Sequence, residues 1–249
     1  MIKAARQEEI LHILNQYKHL SVQEIAKEIF ASPATVRRDL HVLESQGLVR
    51  RSYGGVSLLK YKNQELPLSI RETESRQRKK LIAGIAARII EPKETVLLDA
   101  SSTAMQLAEC IDVSKDVTVV TNGVKTAMLL GNRGIRTYCV GGLFNVRSML
   151  FTGTFAEKNL ASIHADVLFF SSQGLDMSGN ISDYSEVETH LRQLMLQRAR
   201  KRYFLCDSSK IGKSFLFSVG NIAELNGVIC DIPLSEDLKK LLPEGNGQA

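Results

Sequence analysis

The sequence lacks the cysteine and histidine patterns of disulfide scaffolds and metal sites. Its four cysteines are far apart, without a CxxC pair or zinc-ligand spacing, and an HExxH motif is absent. From these absences we expect no metal site and no cofactor. Cys139, Cys206 and Cys230 lie in short apolar runs, so we expect them to be buried, reduced thiols that pack as small hydrophobes.

The sequence also lacks a long apolar run. No stretch approaches the roughly 18 residues of a membrane-spanning helix, and Glu8 and Glu9 stand where a signal peptide would be apolar. We therefore expect a cytoplasmic protein without a membrane partner. Hydrophobic residues make up 44% and charged residues 24% of the 249 residues, which excludes a mainly disordered chain and a collagen-like repeat.

The positive charge is concentrated in the first third of the chain. Residues 1–80 contain 15 Lys/Arg and 9 Asp/Glu, a net of +6, within a whole-chain net charge of +5. This asymmetry indicates a basic surface for a polyanion, with nucleic acid as the leading candidate and a merely solvated basic face as the alternative.

Amphipathic helical patterns fill the start of the chain. Ser21 and Glu24 form a capping box, and Ser32-Pro33 is typical of a cap followed by the first helical residue. Ala31 alone separates the second pattern from the third, which predicts a tight helix-turn-helix connection. The three patterns cover residues 4–16, 21–30 and 32–47.

The third helix has the pattern of a recognition helix. Val36, Leu40 and Leu43 recur at helical spacing and are expected to face inward. Arginine on the opposite side can donate two hydrogen bonds to guanine, and the helix N-terminus attracts a phosphate. We expect Asp39 to hold an arginine or a neighbouring backbone group and not to touch DNA. The residues predicted to bind DNA here are Ala34, Thr35, Arg37, Arg38 and His41, together with the serines Ser21 and Ser32.

A short β-prone segment follows Gly47, which is placed to end the helix in a left-handed conformation. Its Gly54-Gly55 turn predicts a wing, with Arg50 and Arg51 along the phosphate backbone. A small three-helix bundle used for protein contacts is the alternative. The caps, the tight turn, the basic face and the wing together favour DNA binding.

These residues resemble the signature of DeoR-type bacterial transcription regulators. The resemblance implies a winged helix-turn-helix domain that binds operator DNA, usually as a repressor. It is carried by Arg6, Ile10 and Leu14, by Ser32-x-x-Thr35-Val36-Arg37-Arg38-Asp39-Leu40, by Leu43-Glu44-x-x-Gly47 and by Arg51-x-Tyr53-Gly54-Gly55.

The remainder of the chain alternates between apolar runs and helical patterns. This alternation predicts an α/β domain around a mostly parallel sheet, preceded by a charged helix that begins near Glu72. The predicted strands cover residues 95–99, 117–121, 135–140, 167–171, 203–207 and 227–231. The predicted domains are a winged helix-turn-helix at 1–57, a linker and the start of a connecting helix at 58–80, an α/β sensor at 81–243 and a flexible tail at 244–249.

Polar residues follow these strands at the ends where open α/β sheets bind ligands. Hydroxyls and N–H groups at a helix start, with Lys210 nearby, suit a phosphate, while Asp99, Asn122 and Asp176 suit sugar hydroxyls. An ordinary helix cap is the alternative for Ser101-Ser102-Thr103. The predicted effector-binding set is Asp99, Ser101, Ser102, Thr103, Thr121, Asn122, Gly141, Gly142, Gln173, Asp176 and Lys210.

The resemblance extends over this second part. It implies a sensor domain related to ribose-5-phosphate isomerase-type folds, with a phosphorylated sugar as its usual effector. The matching residues are Asp99, Ser102-Thr103, Thr121-Asn122, Gly141-Gly142 and Asp207-Ser208-Ser209-Lys210, whereas Ser101 stands where many members have glycine.

The isomerases' acidic motif is reduced here to Gly174-Leu175-Asp176-Met177, which keeps one acid. Asp176 and Lys210 are then expected to hold ligand groups and not to act as base and electrophile. We expect a regulator that is not an enzyme, a repressor of a carbohydrate-catabolism operon that binds repeated half-sites as a dimer or tetramer. The alternative is a sugar-phosphate isomerase-like enzyme with an accessory basic domain.

Overall fold

The computed structural model describes residues 3–45, 47–59 and 66–243. It divides the chain into two compact units, Met1–Glu74 and Ser75–Ala249. The predicted tail and residues 60–65 of the predicted linker lie outside the described residues. The first unit contains α1 (Lys3–Tyr17), α2 (Val22–Glu28), α3 (Pro33–Ser45), β1 (Val49–Ser52), β2 (Gly55–Leu58) and α4 (Leu68–Thr73).

The first unit folds because its helices turn their apolar stripes toward one core. The buried residues of that core include Ile10, Leu14, Ile25, Val36 and Leu40. The predicted capping box at the start of α2 is confirmed, and so is the left-handed Gly47, whose φ is +67°. Strands β1 and β2 pair antiparallel across a two-residue turn, which confirms the wing.

The predicted one-residue turn between the second and third helices is wrong. Helix α2 ends at Glu28, and residues 29–32 connect it to α3. The helix stops early because Ile29 is buried in the core and Phe30 adopts a left-handed φ of +52°, which leaves its ring 97% exposed. The helix-turn-helix order is unchanged by this longer turn.

The predicted continuous helix from Glu72 is also wrong. Helix α4 ends at Thr73, Ser75 takes a left-handed φ of +53°, and α5 begins at Arg76. Ile70 of α4 is buried with the core of the first unit, while Ile82 of α5 is buried with the second. The break lies where the chain passes from one core to the other.

A six-stranded parallel sheet forms the centre of the second unit. Its order is β13-β11-β8-β3-β4-β5, and it contains all six predicted strands. Separate apolar clusters cover its two faces. The strands are β3 (Thr95–Leu98), β4 (Thr118–Thr121), β5 (Arg136–Cys139), β8 (Ala165–Phe170), β11 (Ala199–Cys206) and β13 (Gly227–Cys230).

Helices cover both faces of this sheet, as the alternation of apolar runs and helical patterns predicts. Helices α5, α6 and α7 contribute to one apolar cluster, and α8, α9 and α10 contribute to the other. Their bounds are α5 (Arg76–Ile89), α6 (Ser102–Cys110), α7 (Val124–Asn132), α8 (Gly153–Ala161), α9 (Glu186–Arg198) and α10 (Glu236–Leu241).

Two small antiparallel sheets have no counterpart in the prediction. One is the hairpin of β6 (Leu143–Asn145) and β7 (Leu150–Thr152), and the other has the order β12-β10-β9. The latter contains β9 (Gly174–Leu175), β10 (Asn180–Asp183) and β12 (Phe217–Asn221). The predicted burial of Cys139 is wrong because β5 is the last strand of the large sheet and leaves it exposed, whereas Cys206 and Cys230 are buried.

Candidate nucleic-acid interface and effector site

Helix α3 is oriented by its cap and its buried stripe. The Ser32 hydroxyl accepts a hydrogen bond from the Thr35 N–H at 3.2 Å, as an N-cap does. Val36, Leu40 and Leu43 are buried, so the opposite side of the helix faces solvent. That side carries exposed Ala34, Arg37, Arg38 and His41, with Thr35 partly exposed beside them.

Asp39 lies on the inner side of this helix. Its carboxylate is 2% exposed and accepts a hydrogen bond from Arg6 Nε at 2.5 Å, which confirms the expected arginine partner. The pair joins α1 to α3 and removes the acid from the outer face. Within the described residues, Arg37 and Arg38 form no ion pair, so their guanidinium groups remain available to an anion.

The wing places its two arginines on opposite sides because side chains alternate along a strand. Arg50 is exposed. Arg51 Nε donates to Glu44 Oε2 at 2.7 Å, and the hydrogen bond from Arg51 lowers the pKa of the Glu44 carboxyl. Arg51 is therefore engaged by α3 in the absence of DNA. Tyr53 at the wing tip is fully exposed.

The two cap serines are used within the protein. Ser21 completes the capping box with Glu24, whose carboxylate accepts from the Ser21 N–H at 2.7 Å and whose N–H donates to the Ser21 hydroxyl. Hydrogen bonds from Ser21 lower the pKa of Glu24. Ser21 and Ser32 thus orient the two helices of the motif, and direct DNA contact by either one stays a prediction.

The large sheet has a topological switch point between β3 and β8. From β3 the chain runs outward through β4 and β5, then returns to β8 and continues through β11 to β13. The loops after β3 and β8 therefore leave the sheet in opposite directions and open a crevice, where doubly wound sheets bind ligands. Asp99 and Ser101 follow β3, and Ser171 follows β8.

Arg192 of α9 forms a buried ionic network at this point. Its guanidinium donates to Asp99 Oδ2 at 3.0 Å, to Asp183 Oδ2 at 2.9 Å and to Glu188 Oε2 at 3.1 Å. Asp99 also accepts hydrogen bonds from the N–H and hydroxyl of Ser101 and from the N–H of Ser171. Since a carboxylate has about four acceptor sites, the protein itself occupies those of Asp99.

Lys210 lies beside this network at the end of β11. Its ammonium group donates to the Ser171 hydroxyl at 2.6 Å and is 3.6 Å from Asp207 Oδ2. Burial acts to raise the pKa of Asp207, but Lys210, hydrogen bonds from Ser209 and the buried Lys79 outweigh it and lower that pKa. The Lys210 side chain keeps 15% exposure, so it can reach a ligand in the crevice.

The N-termini of two helices point toward the same edge of the sheet. Ser101 caps α6, with its hydroxyl accepting from the Ala104 N–H at 3.1 Å, and Gly123 caps α7 without a side-chain hydrogen bond. Thr103 Oγ1 and Asn122 Oδ1 are buried and have no hydrogen-bond partner among the residues described. Buried polar atoms are almost always paired, so these two oxygens are suited to accept hydrogen bonds from a ligand or an ordered water.

Of the remaining predicted effector residues, four lie at strand ends of the large sheet and one does not. Thr121 accepts from the Gly123 N–H at 3.0 Å, and Gly141 and Gly142 follow β5 with φ values of +68° and +117°. Gln173, partly buried, follows β8. These residues all lie at strand ends of the large sheet, together with Asp99, Ser101, Ser102, Thr103, Asn122 and Lys210.

Asp176 does not lie at a strand end of the large sheet. It sits in the β9–β10 turn, where its carboxylate accepts from the N–H groups of Ser178 and Asn180 and from the Asn180 side chain. Burial acts to raise its pKa, but these hydrogen bonds lower it. Asp176 thus stabilises the β9–β10 turn, and its role in effector binding stays a prediction.

Sequence reasoning missed Arg192, Asp183 and Lys79. All three are buried charged residues of the second unit, at 4%, 0% and 4% exposure. Glu188 and Arg192 at i and i+4 on α9 were the available local signal for the network. Lys79 gives no such signal, because it is the middle residue of the basic run Arg78-Lys79-Lys80, and the other two members of that run are exposed.

Among the residues described, no group of three or more His, Cys, Asp or Glu side chains is arranged to hold a metal ion. In the same part of the chain, no helix is both long enough and apolar enough to cross a membrane.

Comparison with known proteins identifies the two units. Residues 6–62 match the DeoR-like helix-turn-helix domain, and residues 74–232 match the DeoR C terminal sensor domain. A curated relative, the HTH-type transcriptional regulator GolR of Listeria innocua serovar 6a, is 31% identical over 96% of this chain and 95% of its own length.

Two further relatives carry sugar-related names. The L-fucose operon activator of Haemophilus influenzae is 32% identical over 94% of both chains. The lactose phosphotransferase system repressor of Staphylococcus epidermidis is 31% identical over 96% of this chain and 95% of its own. A solved ribose 5-phosphate isomerase A from Methanocaldococcus jannaschii aligns at 13% identity over 55% of each chain, with a TM-score of 0.43.

The family match confirms the resemblance noted in the sequence, and the alternative of an isomerase-like enzyme is not favoured. The matches cover both units and place a helix-turn-helix reader before a sensor domain. The chain belongs to the DeoR family of DNA-binding transcription regulators.

Proposed function

We propose that this protein represses a carbohydrate-catabolism operon by inserting α3 into the major groove of its operator. The observation that carries the proposal is the outer face of α3, where Arg37 and Arg38 are exposed while Asp39 is buried against Arg6. The face is therefore cationic at the N-terminal half of the helix, where recognition helices contact bases. Ala34, Thr35 and His41 complete this contact surface.

A binding assay on operator DNA tests this assignment. Arg38→Ala should cost about 1–3 kcal/mol on the specific site and reduce discrimination between operator and unrelated duplex. Arg88→Ala is the matched control, because Arg88 is an exposed arginine on α5 of the second unit. Unchanged operator affinity in both Arg37→Ala and Arg38→Ala would show that another face of the protein binds DNA.

The wing supplies contacts to phosphates in this proposal. Arg50 is exposed and binds the backbone directly, whereas Arg51 exchanges its Glu44 partner for a phosphate. Glu44→Gln should then raise affinity for all duplexes alike, and Arg51→Ala should lower it alike and make the salt dependence shallower. The opposite sign for Glu44→Gln would contradict this exchange.

The sign of regulation is tested separately, because relatives include both an operon activator and a repressor. Deletion of the gene should raise expression from the promoter next to the operator, measured with a reporter. A fall in expression would identify an activator and leave the DNA-contact assignment standing.

We further propose that a phosphorylated sugar binds at the switch point of the large sheet. The N-termini of α6 and α7 and the ammonium group of Lys210 suit the phosphate. The unpaired oxygens of Thr103 and Asn122 suit sugar hydroxyls and any ordered water between them. Asp99, held by Arg192, orients this rim and does not contact the sugar itself.

A panel of sugar phosphates tests the effector site by calorimetry. At least one member should bind wild type, and its unphosphorylated sugar should bind far more weakly. Lys210→Met should abolish that difference, while Lys213→Met, an exposed lysine nearby in sequence, should preserve it. Binding that Lys210→Met leaves unchanged would refute the phosphate assignment without affecting the DNA assays.

The protein acts as a homo-oligomer, dimer or tetramer, in this proposal. One α3 helix covers only a few base pairs, and useful specificity comes from two readers on half-sites about one helical turn or its multiples apart. Footprinting should therefore show two protected half-sites. A single protected half-site at saturation would contradict it.

A further inference from the structure

The edge of the large sheet formed by β5 carries an exposed apolar patch. We name Tyr138, Leu143, Val146 and Phe155 the β5 edge patch; their exposed fractions are 59%, 73%, 70% and 76%. The DNA contacts and the effector site proposed above do not use these side chains. Single exposed apolar residues are ordinary on proteins, but a contiguous group of large ones marks an interaction surface.

The four residues lie on adjoining elements. Tyr138 is opposite Val120 in the β4–β5 register. Side chains alternate between the two faces of a sheet along each strand, so Tyr138 lies on the same face as Val140, which is the face that α8 covers. Asn159 of α8 donates to the Val140 carbonyl oxygen at 2.8 Å. Helix α8 thus contacts the chain at the end of β5, two residues after Tyr138.

The hairpin and the start of α8 complete the patch. A Cβ placed on Gly153, the first residue of α8, would lie 3.8 Å from Leu143 Cβ. Phe155 follows in the first turn of that helix, and Val146 follows β6 in the hairpin turn. All three residues of β6 are exposed, so this strand of the hairpin faces solvent, while β7 is largely buried.

Strand β5 also offers backbone groups. It is the end strand of the sheet and pairs with β4 on one side, so alternate N–H and C=O groups of its other edge point outward. Protein edges are usually protected by proline, lysine or a covering loop. Of the four residues Arg136–Cys139, the first alone carries a charge.

The size of the patch fits a subunit interface. At about 200 Å² for a fully exposed large side chain, the four residues expose on the order of 500 Å² of apolar surface. A standard interface buries about 800 Å² per partner, of which roughly 60% is apolar, or about 500 Å². The patch therefore supplies the apolar share that one partner of a stable dimer contributes.

We propose that the β5 edge patch binds the same patch of a second copy of this chain, with the two β5 strands pairing antiparallel about a two-fold axis. A strand edge beside an apolar cluster is self-complementary under such an axis, which is the requirement of an isologous dimer. The inference rests on the proposed oligomer and assigns its surface.

Sedimentation of the full-length protein tests the surface. Wild type should be dimeric or larger at micromolar concentration, and Leu143→Glu with Phe155→Glu should raise the dimer dissociation constant at least about 30-fold, as loss of an interface hot spot does. Leu216→Glu is the matched control because Leu216 is 83% exposed and outside the patch. A monomeric wild type, or a dimer that survives the double substitution, overturns the proposal.

Cross-linking tests the strand pairing without changing the patch. Antiparallel pairing centred on β5 places the two Cys139 side chains roughly 10 Å apart, at about 3.4 Å per residue. A bismaleimide of that span should join two copies in a Cys110→Ser background, because Cys110 is the other exposed cysteine of the described part of the chain. Absence of the cross-link, or its persistence after Cys139→Ser, overturns the pairing.

The same two experiments separate this inference from the proposed DNA contact. Arg38→Ala should leave sedimentation and cross-linking unchanged while weakening operator binding. The double substitution in the patch should keep the circular dichroism spectrum and the affinity for a single half-site, and lose the cooperative binding to two half-sites. If the double variant loses the folded spectrum, the cross-link decides the question, because it is formed in a protein whose patch is unaltered.

Discussion

Replacing Arg192 with methionine should be among the most destabilising single changes in the second unit. The guanidinium is 4% exposed and donates to Asp99, Asp183 and Glu188, which are themselves buried. Methionine fills much of the space but removes the cation that these three carboxylates share. Removing one member of a buried ion pair costs about 3–5 kcal/mol, and we expect Arg192→Met to fall in that range.

The assay is urea unfolding of the full-length protein, followed by far-ultraviolet circular dichroism because the sequence contains no tryptophan. The control is Arg200→Met, which removes an ion pair to Asp166 whose arginine is 69% exposed, and it should cost less than about 1 kcal/mol. Cost is measured as the change in the free energy of unfolding.

A double-mutant cycle sharpens this prediction. Adding Glu188→Gln to Arg192→Met removes one of the carboxylates that faced the guanidinium, so the double variant should be less destabilised than the sum of the two single changes by about 0.5–3 kcal/mol. The charge-network reasoning fails if Arg192→Met unfolds like Arg200→Met, or if the two substitutions are simply additive.

Two further predictions concern the same unit. Gly142→Ala should cost about 1–3 kcal/mol more in unfolding free energy than Gly141→Ala. Both have positive φ, but only at Gly142 does the added Cβ come within 2.6 Å of the Thr152 carbonyl oxygen, while nothing lies within 4 Å at Gly141; equal costs would contradict this explanation. Asp207 has a lowered pKa, so its ionised form contributes stability that is present above its ordinary value of 3.8 and is lost as the pH falls through the lower folded value. Unfolding measured across this acid range should show the difference between wild type and Asp207→Asn shrinking as the pH falls; a difference that grows toward acid would refute the role of Lys210 in holding the carboxylate charged.

The reader unit was largely predictable because its signals are local. The Ser21–Glu24 capping box, the Ser32 cap and the positive φ of Gly47 each depend on residues within one or two turns of the chain. The turn between α2 and α3 was mispredicted because Ile29 packs into the core and α2 ends at Glu28, two residues before the predicted end. Packing into the core involves residues from other elements, which no local pattern contains.

In the sensor unit, too, local features were predictable and long-range contacts were not. The six strands were predictable from their apolar runs, and the ends of parallel strands bring their polar residues together at one edge. Asp176 was misplaced because it follows β9, a strand of a different sheet, although its local sequence resembles a strand end. Arg192 could not be assigned, since its partner Asp99 is 93 residues away in sequence.

Residue types and their spacing along the chain were sufficient to determine that this protein has a helix-turn-helix reader with an outward arginine pair and a parallel-sheet sensor, because caps, stripes and strands depend on near neighbours. The tertiary structure decided which charges remain available. It engaged Arg51 with Glu44 and Asp99 with Arg192, and among the residues described it paired no strand with the side of β5 opposite β4. Ion pairing and burial depend on distances across the fold, and these exist only once the units are packed.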